Sequence, residues 1–353
     1  MGEKVLMKGN EAIAEAAIRA GCRYFFGYPI TPQSELPAYL ARKFPEVGGT
    51  FLQAESEVAA SNMVYGAAGA GARVLTSSSS PGISLKAEGI SYIAGAELPA
   101  VIINIMRGGP GLGSIQPSQA DYFQATKGMA HGDFRLTVLA PSSVQEAVDL
   151  TMEAFEIADR YRNPVLIVGD GIIGQMMEPV EFKEPVDPDE LPKKEWATDG
   201  AKGREPNVIN SLALDPQDLE DHNLKLKAKY DKMKEEEVRY EELYTDDADL
   251  IIVAYGTTAR ISSRAIEMAR KEGYKVGMIR PITLFPFPTD IINETAERVD
   301  DFLAVEMSTG QMVEDVRLAV NGKKPVHFYG RTGGVVPSPE EIVDKIKEIG
   351  GEK

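Results

Sequence analysis

From Asn10 to Arg19 the apolar positions Ile13, Ala16, Ala17 and Ala20 recur at helical spacing, and Gly21 follows where a glycine closes a helix. Tyr24 to Gly27 predicts a short strand. Thr31 ahead of Pro32 predicts an N-cap and a first helical residue, opening a helix through about Arg42. Small residues dominate Ser56 to Ala70, which predicts a helix. A strand at Arg73 to Ser77, a break at Pro81-Gly82 and a helix near Ile83 to Ile93 come next. Between Pro99 and Met106, Val101, Ile102, Ile103 and Ile105 form the near-continuous apolar run of a strand covered on both faces of a parallel sheet. A strand at Arg135 to Leu139, a helix from about Ser143 to Tyr161 and a strand at Pro164 to Val168 complete an α/β domain over residues 1–180.

Beyond Met177 the texture changes to Glu, Pro, Lys and Asp without periodicity, as in a chain running over the surface. Within this charged linker, residues 181–246, the positions Leu226, Tyr230, Met233, Tyr240 and Tyr244 predict one apolar stripe on a charged helix, interrupted by Glu237. Strands at Ala248 to Ala254, Lys275 to Ile279, Phe302 to Glu306 and Val326 to Tyr329 alternate with helices in a second domain, residues 247–353. No short-period repeat is visible. The expected fold is α/β, with two doubly wound domains.

Composition narrows the function. The chain has 353 residues, 43% of them hydrophobic, and no run approaches the roughly 18 apolar residues of a membrane span. The 38 basic residues against 54 acidic ones give a net charge of −16, the wrong sign for a polyphosphate, so neither nucleic acid nor membrane is an expected partner. The single cysteine, Cys22, excludes an internal disulfide and a cluster held by four thiolates of this chain. Met1-Gly2-Glu3-Lys4-Val5 reaches Lys8 and Asn10 before any stretch of signal-peptide length, so a cytoplasmic protein is expected.

Three places carry candidate chemistry. Gly27-Tyr28-Pro29-Ile30-Thr31-Pro32 leaves the C-terminal end of a strand and enters a helix, where open parallel sheets bind ligands; alone, Thr31 reads as a helix cap. Glu55 and Glu57 stand ahead of the small-residue helix, whose bare face admits close approach; alone, they read as first-turn carboxylates favoured by the helix dipole. Arg107, beside three glycines at a strand end, suits a carboxylate clamp or a surface ion pair. Lys86 and Glu88 read as a solvated helix face. The spacing of His131, His222 and His327 offers no local metal motif, and no metal site is assigned to this chain.

Taken together, Y-P-I-T-P, S-E at the head of a small-residue helix, S-S-S-S-P-G and M-R-G-G-P-G occur in one order. With E-S-E-V-A-A-S-N-M-V-Y-G-A-A-G-A-G-A, G-I-S-L-K-A-E-G-I-S-Y-I-A-G-A-E-L-P, I-Q-P-S-Q-A-D-Y-F-Q-A-T-K-G and L-A-P-S-S-V-Q-E-A, the chain resembles the α subunit of the 2-oxoacid:ferredoxin oxidoreductases, nearest the 2-oxoisovalerate type. The resemblance implies a pyrimidine-binding domain for thiamine diphosphate followed by a domain like the C-terminal one of transketolase. It places Glu57 on the aminopyrimidine N1′ as the catalytic carboxyl, Pro29, Ile30 and Thr31 at the cofactor, and Thr31 and Arg107 at the substrate, Arg107 on its carboxylate.

Gly169-Asp170-Gly171 looks like the start of a diphosphate motif, but the positions 25 to 30 residues on lack its asparagine, and it reads as a decoy. The resemblance puts the diphosphate site and its Mg2+ on a β subunit, and iron-sulfur clusters on γ and ferredoxin-like subunits. It implies conversion of a 2-oxo acid and coenzyme A to acyl-CoA, CO2 and reduced ferredoxin. Two alternatives stay open: a split-subunit thiamine decarboxylase or transketolase-like enzyme without redox chemistry, and a non-catalytic assembly subunit.

Overall fold

The computed structural model describes residues 4–351; Met1, Gly2 and Glu3, the head of the stretch read above for targeting signals, lie outside the described residues. The first half runs β1 (Val5–Lys8), α1 (Gly9–Arg19), β2 (Tyr24–Gly27), α2 (Glu35–Lys43), β3 (Thr50–Gln53), α3 (Glu57–Gly69), β4 (Val74–Ser78), α4 (Pro81–Gly95) and β5 (Ala100–Met106). It continues with α5 (Tyr122–Thr126), β6 (Thr137–Leu139), α6 (Val144–Tyr161), β7 (Pro164–Asp170), α7 (Gly171–Gln175) and β8 (Met177–Val180). The second half holds α8 (Pro216–Glu236), β9 (Tyr240–Leu243), β10 (Leu250–Val253), α9 (Gly256–Lys271), β11 (Val276–Pro281), β12 (Thr283–Phe285), α10 (Thr289–Thr295), β13 (Asp301–Glu306), α11 (Met312–Val320), β14 (Val326–Gly330) and α12 (Pro339–Gly351).

Among the described residues these strands form a seven-stranded sheet in the order β12-β6-β7-β5-β4-β2-β3, a five-stranded sheet in the order β14-β13-β10-β11-β9, and the antiparallel pair β1-β8. Both large sheets are parallel except at one edge, where β12 and β9 run antiparallel to their neighbours. β5 lies inside the first sheet and is buried at every position. Its Val101, Ile103 and Ile105 join the core under α1 and α6, while Ile102 and Met106 join α4 on the other face, the alternation a strand imposes. That second core continues through Ile251, Phe302 and Val316, so the two sheets are packed into one body.

Two expectations need correction, and one strand was not anticipated. Thr31 does not cap α2, which starts at Glu35. The Pro32 carbonyl that a continuous helix would use accepts instead from the Asn10 and Gln175 side-chain amides, at 2.8 and 3.0 Å. Leu226, Tyr230 and Met233 are the buried face of α8, but Tyr240 and Tyr244 are not on it. The helix stops because Glu237, 1% exposed, is taken by Arg160 at 2.7 Å and Arg239 at 3.2 Å, after which the chain extends into β9. Finally, β12 lies in the second half of the sequence but pairs with β6 of the first sheet. Residues 181–215 are mostly irregular and strap the surface: Thr198 donates to the Gly69 carbonyl and Trp196 lies under Arg162, 4.4 Å from the guanidinium carbon.

Candidate active site

Parallel strands deliver their C-terminal ends to one edge. β3, β2, β4 and β5 are consecutive neighbours, so the loops that leave them are brought together by topology alone. Those strand ends and the segments that follow them carry Glu57, Thr31, the serine run Ser77 to Ser80, and Arg107. Each is held differently.

Glu57 is the first residue of α3. Ser56 caps the helix by accepting from the Ala59 amide at 3.1 Å, and the Glu57 side chain is 7% exposed, while Glu55 faces solvent. The bare face of α3 receives α4: a Cβ on Gly89 would stand 2.2 Å from Ser61 Oγ, and one on Gly82 would stand 2.9 Å from Glu57 Oε1 and 2.1 Å from Ser78 Oγ. Gly82 is therefore bare because the glutamate and the serine occupy that space. Small residues on α3 bring a helix close.

Arg107 is 9% exposed, and among the described residues it makes no ion pair, against the surface-pair reading. Its Nη1 donates to the Thr31 carbonyl at 2.9 Å and its Nη2 to the Leu112 carbonyl at 3.3 Å, while its Nε is buried without a partner. An uncompensated guanidinium with a free donor at a ligand edge fits an anion. The same bond pins the loop that carries Thr31, whose side chain stays exposed with Tyr28 and Pro29, Ile30 being half-buried.

Ser80 links the two halves of this edge. It holds φ at +23°, a conformation side chains rarely adopt. Its hydroxyl donates to Asp121 Oδ2 at 2.6 Å and accepts from the Arg107 amide at 3.0 Å, and its own amide donates to Asn104 Oδ1 at 3.0 Å. Asn104 Nδ2 closes the ring on Asp121 at 2.9 Å. Burial pushes the Asp121 carboxyl above its ordinary range, against the two hydrogen bonds that favour its charged form. Beside this ring, Ser78 Oγ and Ser79 Oγ are buried without partners.

Sequence reasoning did not single out Asn104 or Asp121, and it misplaced Lys86. Lys86 is fully buried, against the solvated-face reading, and Glu88 is exposed as expected. Both buried residues leave a trace in the sequence. Asn104 is the polar break in A-V-I-I-N-I-M, and Lys86 falls on the Ile83, Ile90, Ile93 stripe of α4.

Asp170 of the Gly169-Asp170-Gly171 run accepts from the amides of Ile172 and Ile173 at 2.8 and 3.3 Å, capping α7. Burial pushes its carboxyl upward. Its Oδ1 is engaged in capping α7. His131 is exposed, His222 meets the Gly95 carbonyl at 2.7 Å and His327 meets Asp301 at 3.1 Å. No cluster of three or more metal-ligating side chains occurs among the described residues, and no helix there is long and apolar enough to cross a membrane.

Orphaned hydroxyls and a guanidinium with an unpartnered donor make a polar edge suited to an anionic ligand. A family model described as pyruvate flavodoxin/ferredoxin oxidoreductase, thiamine diphosphate-binding, matches residues 15–245, and one described as pyruvate:ferredoxin oxidoreductase core domain II matches residues 248–342. The chain is 53% identical to the ketoisovalerate oxidoreductase subunit VorB of Methanothermobacter thermautotrophicus, over 98% of both chains. It is 37% identical to the 2-oxoglutarate synthase subunit KorA of Methanothermobacter marburgensis, over 98% of this chain and 99% of that one. Among solved structures, the 2-oxoglutarate:ferredoxin oxidoreductase of Magnetococcus marinus, with 2-oxoglutarate, coenzyme A and succinyl-CoA bound, superposes with a TM-score of 0.87 at 25% identity, covering 98% of this chain and 65% of that one. A split-gene transketolase, an inactive β4 tetramer, shares the fold with a TM-score of 0.60 at 15% identity.

Proposed function

Because this chain belongs to the pyruvate flavodoxin/ferredoxin oxidoreductase family, we propose that it is the α subunit of a 2-oxoacid:ferredoxin oxidoreductase acting on a branched-chain 2-oxo acid. The reaction is oxidative decarboxylation with coenzyme A to acyl-CoA, CO2 and reduced ferredoxin. The 53% identity to a ketoisovalerate subunit, against 37% to a 2-oxoglutarate one, supports the substrate class. The observation that supports the reading is that sheet order brings the strand ends preceding Glu57, Thr31 and Arg107 to one parallel edge, where Arg107 donates to the Thr31 carbonyl.

Bound thiamine diphosphate supplies the electron sink on which a 2-oxo acid loses CO2. Within this chain, the Glu57 carboxyl would meet the aminopyrimidine, and the loop from Tyr28 to Thr31 would flank that ring. Arg107 would supply the positive charge for the substrate carboxylate while its Nη1 donor keeps the Thr31 loop in register. The exposed apolar residues Tyr28, Leu52, Val58 and Leu85 at this end would be covered by a β subunit carrying the diphosphate-binding half and Mg2+, which would exclude water from the carboxyl.

Electrons leave to clusters on γ and ferredoxin-like subunits. Cys22 is fully buried and its thiol is pushed up to about 12 by burial, the opposite of what a thiolate ligand needs. A cytoplasmic location belongs to the same reading, as does the division into a pyrimidine domain at 1–180, a linker at 181–246 and a transketolase C-terminal-like domain at 247–353.

The test is anoxic co-purification of the complex with assays on 2-oxoisovalerate, pyruvate and 2-oxoglutarate. We expect 2-oxoisovalerate to give the highest kcat/KM for acyl-CoA formation with stoichiometric ferredoxin reduction. Decarboxylation without ferredoxin reduction would instead establish the non-redox thiamine enzyme.

A further inference from the structure

Asp121 stands at the N-cap position of α5, yet its side chain does not cap that helix. The carboxylate turns instead to the end of the first sheet, where Oδ2 accepts from Ser80 Oγ at 2.6 Å and from Asn104 Nδ2 at 2.9 Å. Aspartate is among the favoured N-cap residues, so α5 goes without the stabilisation its own sequence offers.

Ser80 is equally constrained. Its φ of +23° is one that side chains rarely adopt, and Pro81 follows, whose ring narrows the choice further. Glycine would relieve that backbone, but only a hydroxyl can receive the Arg107 amide, at 3.0 Å, while donating to Asp121. Asn104 is the polar break in the apolar, fully buried β5, and both ends of its amide are engaged in the same ring, Oδ1 accepting from the Ser80 amide at 3.0 Å. Three locally unfavourable choices converge on the main chain of Arg107.

The carboxylate has a firm base. On one side Gln119 donates its amide to the Met307 carbonyl at 2.9 Å and its Nε2 to the Tyr255 carbonyl at 2.8 Å; on the other, the Tyr122 hydroxyl donates to Asp315 at 2.5 Å. Met307, Tyr255 and Asp315 all belong to the second half of the chain, so Asp121 takes its position from that half. The Arg107 guanidinium in turn reaches the Thr31 carbonyl at 2.9 Å.

We propose that Asp121 is a positioning residue for the 2-oxo acid: through Ser80 it fixes the main chain of Arg107, and with it the guanidinium, relative to the second half of the chain. This rests on the reading of Arg107 as the charge that meets the substrate carboxylate. Asp121 itself touches no substrate and exchanges no proton; it supplies hydrogen-bond acceptance alone.

The assembled complex tests this by steady-state kinetics, with kcat/KM measured separately for 2-oxoisovalerate and for coenzyme A, in wild type, Asp121→Ala, Asp121→Asn, Ser80→Gly, Arg107→Ala and the double variant of Asp121→Ala with Arg107→Ala. Asp121→Ala should lower kcat/KM for the 2-oxo acid about tenfold and leave that for coenzyme A within about twofold. Asp121→Asn, whose amide oxygen still accepts, should recover most of the loss. Ser80→Gly suits the positive φ but lacks the hydroxyl, so it should assemble like wild type and show the same selective loss. In the Arg107→Ala background the aspartate substitution should add nothing.

An Asp121→Ala variant that loses nothing, or loses equally on the acid and on coenzyme A, would overturn the inference, as would an asparagine no better than alanine or an aspartate effect that persists without Arg107. If Arg107→Ala itself leaves kcat/KM for the acid unchanged, the reading of Arg107 fails, whatever Asp121 does.

Discussion

Replacing Lys86 by methionine should stabilise the chain at neutral pH. The folded protein holds this amine at about 7 against an ordinary value of 10.5, with burial as the leading cause. The unfolded chain therefore binds more protons than the folded one between these two values, and stability rises as pH climbs through that window. Below pH 7 the full penalty is present; above 10.5 it is gone. A difference of 3.5 units, 10.5 less 7, corresponds to about 5 kcal/mol as an upper bound, at 1.36 kcal/mol per unit. Methionine has similar volume and carries no charge, so the variant escapes the penalty at a packing cost of about 1 kcal/mol. Urea unfolding of the full-length chain, wild type beside Lys86→Met, gives the measurement. The gap in stability should be largest near pH 7 and close steadily towards pH 10. Taking the difference removes contributions common to both, including the buried tyrosines that titrate higher. A variant less stable than wild type at pH 7, or a gap that does not change with pH, would refute the argument that this lysine is retained against the interests of the fold.

Three further outcomes follow from the geometry. Arg107→Lys keeps a charge but loses the planar fork, so KM for the 2-oxo acid should rise about tenfold or more while KM for coenzyme A stays put, by steady-state kinetics. Arg280, 4% exposed, meets both oxygens of Glu146 on α6, at 3.0 and 2.8 Å, and Glu241 of β9 at 2.8 Å. Arg280→Met strands Glu146 and should lower stability by about 3 kcal/mol, read by denaturant midpoint. Asp170→Ala removes the cap of α7 and should cost about 1 to 2 kcal/mol, while leaving the divalent-ion requirement of the assembled enzyme unchanged.

Periodicity was enough for the elements whose burial is dictated by one face. β5 and α6 stand within two residues of their expected bounds, because long apolar patterns and the Ser143 cap are local signals. The start of α2 was not legible, since Thr31-Pro32 carries a good local capping signal. Which acceptors satisfy the Pro32 carbonyl depends on Asn10 and Gln175, 22 and 143 residues away. β12 was invisible for a similar reason: three residues gain strand character only by pairing with β6 across the chain. Thr31 and Arg107 each follow a predicted strand, and parallel topology gathers strand ends; Glu57 follows β3, which the pattern did not predict, and stood out only at the head of the small-residue helix. The serine, asparagine and aspartate ring behind Arg107 was not, because Ser80 and Asp121 meet only after folding. Lys86 was misread by composition, which treats a lysine as solvated, although its place on the Ile83, Ile90, Ile93 stripe already pointed inward.

The account turns on Glu57 meeting a thiamine ring whose diphosphate is held by another polypeptide. A structure of the assembled complex with thiamine diphosphate tests it most directly. A Glu57 carboxyl oxygen should lie about 2.6 to 3.2 Å from the aminopyrimidine N1′, with the diphosphate on the β subunit. A ring seated elsewhere, or a diphosphate bound at Asp170 of this chain, would contradict it.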